Sequence, residues 1–441
     1  MVSLEPISTV DVPYWHPRTE TMPRDELAAW QWEKLRRSLA LARNSPFWRE
    51  RLPADISSLE DYFARVPLLY RKDIMAAQGV APPYGTMPST NPGLGSHHHQ
   101  TSGTSGHPPV RSFDTTRDWT WCVDAYATAL YGMGVREHHR GMVAFGYGLF
   151  AGFWLMHYAL ERIGATPVPS GGMDSRARIR LLVDLRVEVL GLTPSYALRL
   201  IETAREMGVD LKRDANVKII MAGGEPRTDL TTDIIAEAFG ARVHNAAGTT
   251  ELGTVNMFEC PEKRNACHII ESIVIEEVLD PVTKQPVGYG EQGVRVSTGI
   301  GREGLQLFRH WTEDLVVKRP WHECGCGRTW DYLDRGILGR TDDLRKIRGV
   351  SVTPTMVEEV VRKFDDVAEY QTILRRVRGL DTIVVRVEPA SSQVDNEVLG
   401  ARIGTAIKNE IGIRPDVEFA EPGTLPRFEL KAARFHDERE G

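Results

Sequence analysis

Apolar and polar positions along the chain fall into two periods. Between Arg24 and Asn44, leucines and alanines recur at three- and four-residue intervals, with Trp30 and Trp32 as bulky anchors, and this spacing predicts an N-terminal helix. A Pro/Gly/Ser-rich stretch from Ala81 to Gly95 interrupts the pattern. Beyond it, short apolar runs alternate with amphipathic ones. Met142–Phe145, Val187–Leu192 and Val217–Met221 read as strands, and Phe153–Ile163, Tyr196–Met207 and Leu230–Phe239 read as helices. Such βα alternation predicts an α/β fold with mainly parallel sheets flanked by helices. After Arg340 the texture changes. Met356–Phe364 and Asn396–Ile411 read as helices, and Tyr370–Arg376, Thr382–Val387 and Val417–Ala420 as strands. That makes a small α+β domain of about 100 residues. We therefore expect a large domain over 1–340 and a small one over 341–441, with the boundary at Arg340–Asp343. No internal repeat is visible, and His97-His98-His99 is the one short biased run.

At 441 residues the chain exceeds one ordinary core, in keeping with that division. Its 54 basic and 60 acidic residues leave a net charge of −6 without long blocks. A nucleic-acid or anionic-membrane partner is not indicated, so any polyanion binding must be local. No apolar run approaches the ~20 residues of a membrane span. The first thirty residues carry Glu5, Asp11, Glu20, Asp25 and Glu26 in place of a signal peptide's apolar centre. The expectation is a cytoplasmic protein, for which a homodimer stays open. Five cysteines in that compartment point to thiols or metal ligands, not a disulfide framework.

Candidate chemistry begins at Thr101-Ser102-Gly103-Thr104-Ser105-Gly106-His107-Pro108-Pro109. Glycines let backbone N–H groups approach an anion and the hydroxyls add donors, so this loop can wrap a polyphosphate. It lacks the Gly-Lys-Ser/Thr ending of a Walker A loop. Taken alone, such a run is more often a flexible linker. Further segments follow in order: Phe145-Gly146-Tyr147-Gly148-Leu149-Phe150, Thr193-Pro194-Ser195-Tyr196, Ala222-Gly223-Gly224-Glu225-Pro226 and Ala247-Gly248-Thr249-Thr250-Glu251. Then come Thr312-Glu313-Asp314, Gly339-Arg340-Thr341-Asp342-Asp343 and Ile347-Arg348-Gly349-Val350. As an ordered set they resemble the phenylacetate–CoA ligase branch of the adenylate-forming enzymes, over roughly residues 60 to 435.

The resemblance implies an AMP-forming ligase that uses ATP to convert an aromatic carboxylic acid to its acyl-adenylate and passes the acyl group to coenzyme A. Thr101, Ser102, Gly103, Thr104 and Gly106 would cover the β- and γ-phosphates, His107 standing where the family often has lysine. Glu251 would hold Mg²⁺, with Thr249 and Thr250 touching the α-phosphate or the carboxylate. Gly223, Gly224, Glu225 and Pro226 would wall the adenine. Ala247 occupies the place of the family's stacking tyrosine, so either another aromatic supplies the stack or the pocket is looser. Asp314 would clamp the ribose hydroxyls, joined by Arg340. Lys431 matches the near-C-terminal catalytic lysine, Asp342 the hinge and Gly349 the loop used with coenzyme A. Phe145, Tyr147, Phe150, Trp154, Pro194, Tyr196 and Gly223 would shape a slot for a flat acid, although aromatic stripes are more often plain core.

A second constellation, Cys260, His268, Cys324 and Cys326, matches a pattern frequent in this branch. Three thiolates and an imidazole suit a structural Zn²⁺, with Cys267 an alternative to His268 and four unmetallated residues the bland alternative. Cys122 reads as an ordinary buried thiol. Two other functions stay open on the residues alone. One is adenylation of another oxyanion such as nitrite, or capture of the adenylate by an amine. The other is a catalytically silent nucleotide-binding module.

Overall fold

The structure, a computed structural model, describes residues 12–101, 108–377, 380–428 and 434–439. The chain forms two compact units, one of residues 1–169, 244–312 and 317–336, the other of 170–243, 313–316 and 337–441.

In the first unit, helix α1 (Arg24–Ala42) opens with Asp25 and Glu26, placed to complement the positive end of its dipole, and buries Leu27, Gln31, Leu35 and Leu39 along one stripe. Helix α2 (Thr116–Gly132) starts at a capping box in which Thr115 and Asp118 satisfy each other's backbone N–H groups. It is buried along most of its length. At Gly132 a Cβ would lie 2.3 Å from the ring of Phe258, so glycine permits this close approach to strand Val255–Glu259. Helix α3 (Ala151–Ile163) ends at Gly164 in the left-handed conformation, φ 91°. It links the parallel strands Arg140–Val143 and Thr166–Pro169. The later strands of this unit are antiparallel. Residues 255–259 pair with 246–248 and 266–269, the latter with 332–334, and 274–279 pair with 292–299. A separate hairpin, Gly95–Gln100 with Arg111–Thr115, brackets the Ser/Gly loop.

In the second unit, strands Val189–Leu192 and Ile219–Gly223 are parallel. Helices α4 (Ser175–Asp184), α5 (Pro194–Glu206) and α6 (Asp229–Phe239) accompany them. Each is capped by the side chain before it: Asp174, Thr193 and Thr228. The C-terminal lobe has a four-stranded sheet in the order 416–419, 380–389, 367–377, 435–437. Its central pair is antiparallel and its edges run parallel to their neighbours. Alternate positions Ile383, Val385 and Val387 join Val357, Val360 and Val361 of helix α7 (Pro354–Val361) and Leu399, Ile403 and Ile407 of helix α8 (Asn396–Ile411) in one core. Burying each such side chain contributes about 1.5–3 kcal/mol.

The fold is thus mixed α/β with an α+β C-terminal lobe: the parallel pairs lie where the patterning places βα alternation, and residues 242–334 add antiparallel ones. The antiparallel stretch between residues 242 and 334 carries no period from which the pattern assigned elements. Among the described residues no helix is long and apolar enough to cross a membrane.

Candidate functional site

The Gly-Thr-Thr-Glu segment forms a turn after strand Arg242–Gly248. At Gly248 a Cβ would meet the carbonyl oxygen of Thr254 at 2.2 Å, so only glycine lets the chain double back. Thr249 stabilises the turn: its Oγ1 accepts from the Leu252 N–H at 3.1 Å and its carbonyl from Gly253 at 2.9 Å. Thr250 is buried. The side chain of Glu251 is 9% exposed, and Arg71 Nη1 donates to its Oε1 at 3.4 Å.

Beneath the turn lies buried Arg302. Its Nη1 donates to the carbonyl of Glu251 at 3.1 Å, its Nε to Asp114 Oδ1 at 2.7 Å, and its Nη2 to the carbonyl of Phe113 at 3.0 Å. Burial pushes the Asp114 carboxyl up against the pull of this guanidinium. Arg302 so ties the Glu251 turn to the hairpin that carries the Ser/Gly loop. At the neck of that loop, Thr101 donates its N–H to Val110 and accepts the Val110 N–H on its hydroxyl, both at 3.0 Å. Ser102, Gly103, Thr104, Gly106 and His107 lie outside the described residues.

The triple histidine is a strand with two faces. His97 and His99 stack on Trp119 at 4.1 and 5.2 Å, while His98 turns to Tyr84. Burial and the neighbouring His97 pull the pKa of His99 down to about 4.

In the aromatic motif, Phe145 is buried and stacked on Phe153 at 3.5 Å, with Phe150 tilted against Phe153 at 4.9 Å. The Tyr147 hydroxyl shares a 3.0 Å hydrogen bond with His157 Nδ1, and Trp154 Nε1 donates to the carbonyl of Gly148 at 2.9 Å. A Cβ at Gly146 or Gly148 would meet nothing within 4 Å, so space is open beside Tyr147.

Cys260, His268, Cys324 and Cys326 converge, their ligand atoms all within 4.8 Å of one another and all four residues buried. Cys260 Sγ lies 3.6 Å from Cys324 Sγ, and Cys326 Sγ lies 3.3 Å from His268 Nε2. Tetrahedral Zn²⁺ with bonds of about 2.0–2.3 Å needs edges of roughly 3.5–3.8 Å, so this donor set fits it. His268 Nδ1 bonds the carbonyl of Trp330 at 2.9 Å, which orients Nε2 toward the thiols. Cys267 immediately precedes His268 on the same strand and so belongs to its other face.

In the second unit, Asp314 pairs across two short strands with Arg340. Arg340 Nη1 donates to Asp314 Oδ1 at 3.2 Å, while its Nε and Nη2 fork onto Asp342 at 2.7 Å each. Burial, reinforced by Asp342, raises the pKa of neighbouring Asp343. Gly223 ends strand Ile219–Gly223, and Gly224 takes φ 90°. Glu225 Oε1, just before Pro226, accepts the N–H of Ser195 at 2.6 Å. Tyr196 is fully buried, its hydroxyl held by Arg178 at 2.7 Å and Ser175 at 3.0 Å. Gly349, φ 84°, turns the hairpin between 345–347 and 350–352. Lys431 lies outside the described residues, but both its flanks are described. Arg427 forks onto Glu388 and Glu202, and Arg434 onto Glu369.

Sequence reasoning did not single out Arg71 or Arg302, and it used Arg427 only as a flank of Lys431. Each engages a carboxylate far along the chain, and nothing local marks such an arginine.

A family model described as the AMP-binding enzyme C-terminal domain matches residues 349–439. The chain is 35% identical over 94% of its length to a phenylacetate-coenzyme A ligase of Thermus thermophilus, covering 97% of it. It is 32% identical over 95% of its length to another from Pseudomonas putida, covering 96%. Among solved structures it is similar to a 2-hydroxyisobutyryl-CoA ligase in the postadenylation state in complex with 2-HIB-AMP. That match has a TM-score of 0.92 at 29% identity and covers 98% of this chain and 94% of that one.

Proposed function

The chain belongs to the phenylacetate–coenzyme A ligase family of adenylate-forming enzymes, and on that premise we propose that it joins an aromatic carboxylic acid to coenzyme A at the expense of ATP. What carries the reading is that the similarity to named ligases runs through nearly the whole chain and is not confined to a nucleotide-binding part.

In the first half-reaction a carboxylate oxygen of the acid attacks the α-phosphorus of ATP, and the bond to pyrophosphate breaks. In the second, the thiol of coenzyme A loses its proton, its sulfur attacks the acyl carbonyl, and AMP leaves. Such chemistry rests on positioning and on charge placed where charge develops. Residues 101–106 would hold the β- and γ-phosphates, Thr101 fixing the neck. Glu251 would hold Mg²⁺, which neutralises phosphate charge when bound. Thr249 spends a lone pair on Leu252, so its hydroxyl proton is available to the α-phosphate or the acid, as is that of Thr250. Asp314, steadied by Arg340, would take the ribose hydroxyls, and Gly223 to Pro226 would wall the adenine. Lys431 would bridge the acid and the α-phosphate in the first half-reaction alone. Rotation of residues 341–441 against 1–340 at Asp342 would then bring the Gly349 loop into use. Tyr147 and Phe150 support a flat acyl group, with Phe145 behind them. Cys260, His268, Cys324 and Cys326 would hold a structural Zn²⁺. Use of ATP and coenzyme A implies a cytoplasmic location.

The test is pyrophosphate release from ATP over phenylacetate, substituted benzoates, 2-hydroxyisobutyrate and nitrite, each with and without coenzyme A. An aryl acid should give the highest kcat/KM, with one thioester formed per pyrophosphate. Preference for the hydroxy acid would overturn the aromatic assignment, product formed without coenzyme A would overturn the acceptor, and no release at all would leave a silent module.

A further inference from the structure

Two arginines bracket the segment 429–433, and both reach the same helix. Arg434 forks onto Glu369, Nε to Oε1 at 2.7 Å and Nη2 to Oε2 at 2.9 Å, and its remaining Nη1 donates to Ser195 Oγ at 2.9 Å. Arg427 grips Glu388 at 2.5 Å and Glu202 at 3.1 Å. Ser195 and Glu202 stand seven residues apart on α5, two turns along one face. Each arginine thus has one carboxylate inside the C-terminal lobe and one partner on α5. A third contact, Thr231 Oγ1 of α6 to Glu358 Oε1 of α7 at 3.2 Å, lies beside them. Ser195 has a second tie, because its N–H is taken by Glu225 of the Ala-Gly-Gly-Glu-Pro segment.

We infer that Arg427 and Arg434 are positioning residues for adenylate formation, and that Ser195 and Glu202 of α5 are their receptors. The inference rests on the proposed reading of Lys431, which lies four residues after the first arginine and three before the second. A guanidinium held bidentate in its own lobe reaches its second partner with little further loss of rotamer freedom, so the α5 contacts fix where the lysine-bearing segment starts and ends. Glu225 adds a dependence on the nucleotide side: it orients the N-terminus of α5, and Ser195 passes that orientation to Arg434. On the reading that Lys431 acts in the first half-reaction alone, loss of the receptors should slow that half-reaction and not the other.

The receptors, not the arginines, are the residues to change, since each arginine then keeps its carboxylate within the lobe. Ser195→Ala and Glu202→Gln should each lower kcat for pyrophosphate release about tenfold, and together about a hundredfold. Thioester formation from preformed acyl-adenylate should stay at the wild-type rate, as should the melting temperature. Ser195→Thr, which keeps the hydroxyl, should restore most of the first rate. Equal losses in both half-reactions, or no loss in either, would overturn the inference. Wild-type protein that releases no pyrophosphate with any acid would instead remove the functional reading beneath it, and that control is read first.

Discussion

At the scale of single residues, the nearly buried carboxylate of Glu251 faces the Arg71 guanidinium at 3.4 Å, a distance long enough for the pair to part. A divalent cation on that carboxylate replaces one positive partner with a stronger one. Glu251→Gln keeps the shape and removes the charge. The concentration of Mg²⁺ giving half-maximal pyrophosphate release should therefore rise at least about tenfold, a factor equal to 1.4 kcal/mol of lost metal affinity. An unchanged Mg²⁺ titration would take the metal role away from Glu251. The pairing of Asp314 with Arg340 was legible through the family resemblance, because short motifs name their own residues, whereas the strand before the Glu251 turn lies in the stretch where no period marks elements. Arg302 was not legible: its partner Asp114 is 188 residues away, and no local pattern distinguishes a buried arginine from a solvated one.

Elements were legible where burial is one-sided. Helix α8 runs from Asn396 to Ile411 as its 3.6-residue period requires, and α5 starts two residues earlier than the apolar pattern because Thr193 caps it and Pro194 suits its first turn. Strands Val255–Glu259 and Ala266–Ile269 are buried at every position, so they show no alternation to read. Those two strands carry or adjoin Cys260 and His268, while Cys324 and Cys326 sit on an irregular stretch after a short 3₁₀ turn. A metal there would fasten loop to strand where few ladder hydrogen bonds do so. Purified protein should hold about one zinc per chain, and Cys324→Ser should lose it and melt at a lower temperature, since metal binding is linked to folding. Glu251 and Asp314 are not in this cluster, so the folded fraction should keep measurable pyrophosphate release. Zinc retained at full stoichiometry in a Cys260→Ser, Cys324→Ser double variant would refute the site.

Across the whole molecule, the buried carboxylates paired with arginine answer acid differently in the two units. In the C-terminal lobe, burial pushes Glu369 and Glu388 up, but their arginines outweigh it and hold both below the usual glutamate value of 4.5. Glu418 shifts the same way, and the Arg439 fork brings Asp437 down to about 2. A carboxyl whose folded pKa is depressed stabilises the fold above its unfolded value, and that stability is lost as pH falls through the folded one. Glu358 and Asp343, raised by burial, offset part of this. In the first unit the buried carboxylates Glu20, Asp114, Glu276 and Glu277 are all raised by burial despite their arginines. Ionised at neutral pH they cost stability, and protonation on acidification relieves that cost. Asp124, which burial raises but His16 and Arg162 pull lower, is an exception, and at the surface of this unit Glu33, Asp55, Glu60, Asp61 and Asp280 are lowered too, their hydrogen bonds outweighing a small burial cost. The second unit should therefore give way first as pH falls below about 4.5. All ten tryptophans, Trp15 through Trp330, belong to the first unit, so their fluorescence reports on that unit while far-ultraviolet circular dichroism reports on both. In an acid titration the dichroism should begin to fall at a higher pH than the fluorescence shifts. Coincident transitions would mean that the two units unfold as one and that these carboxylates do not set the order.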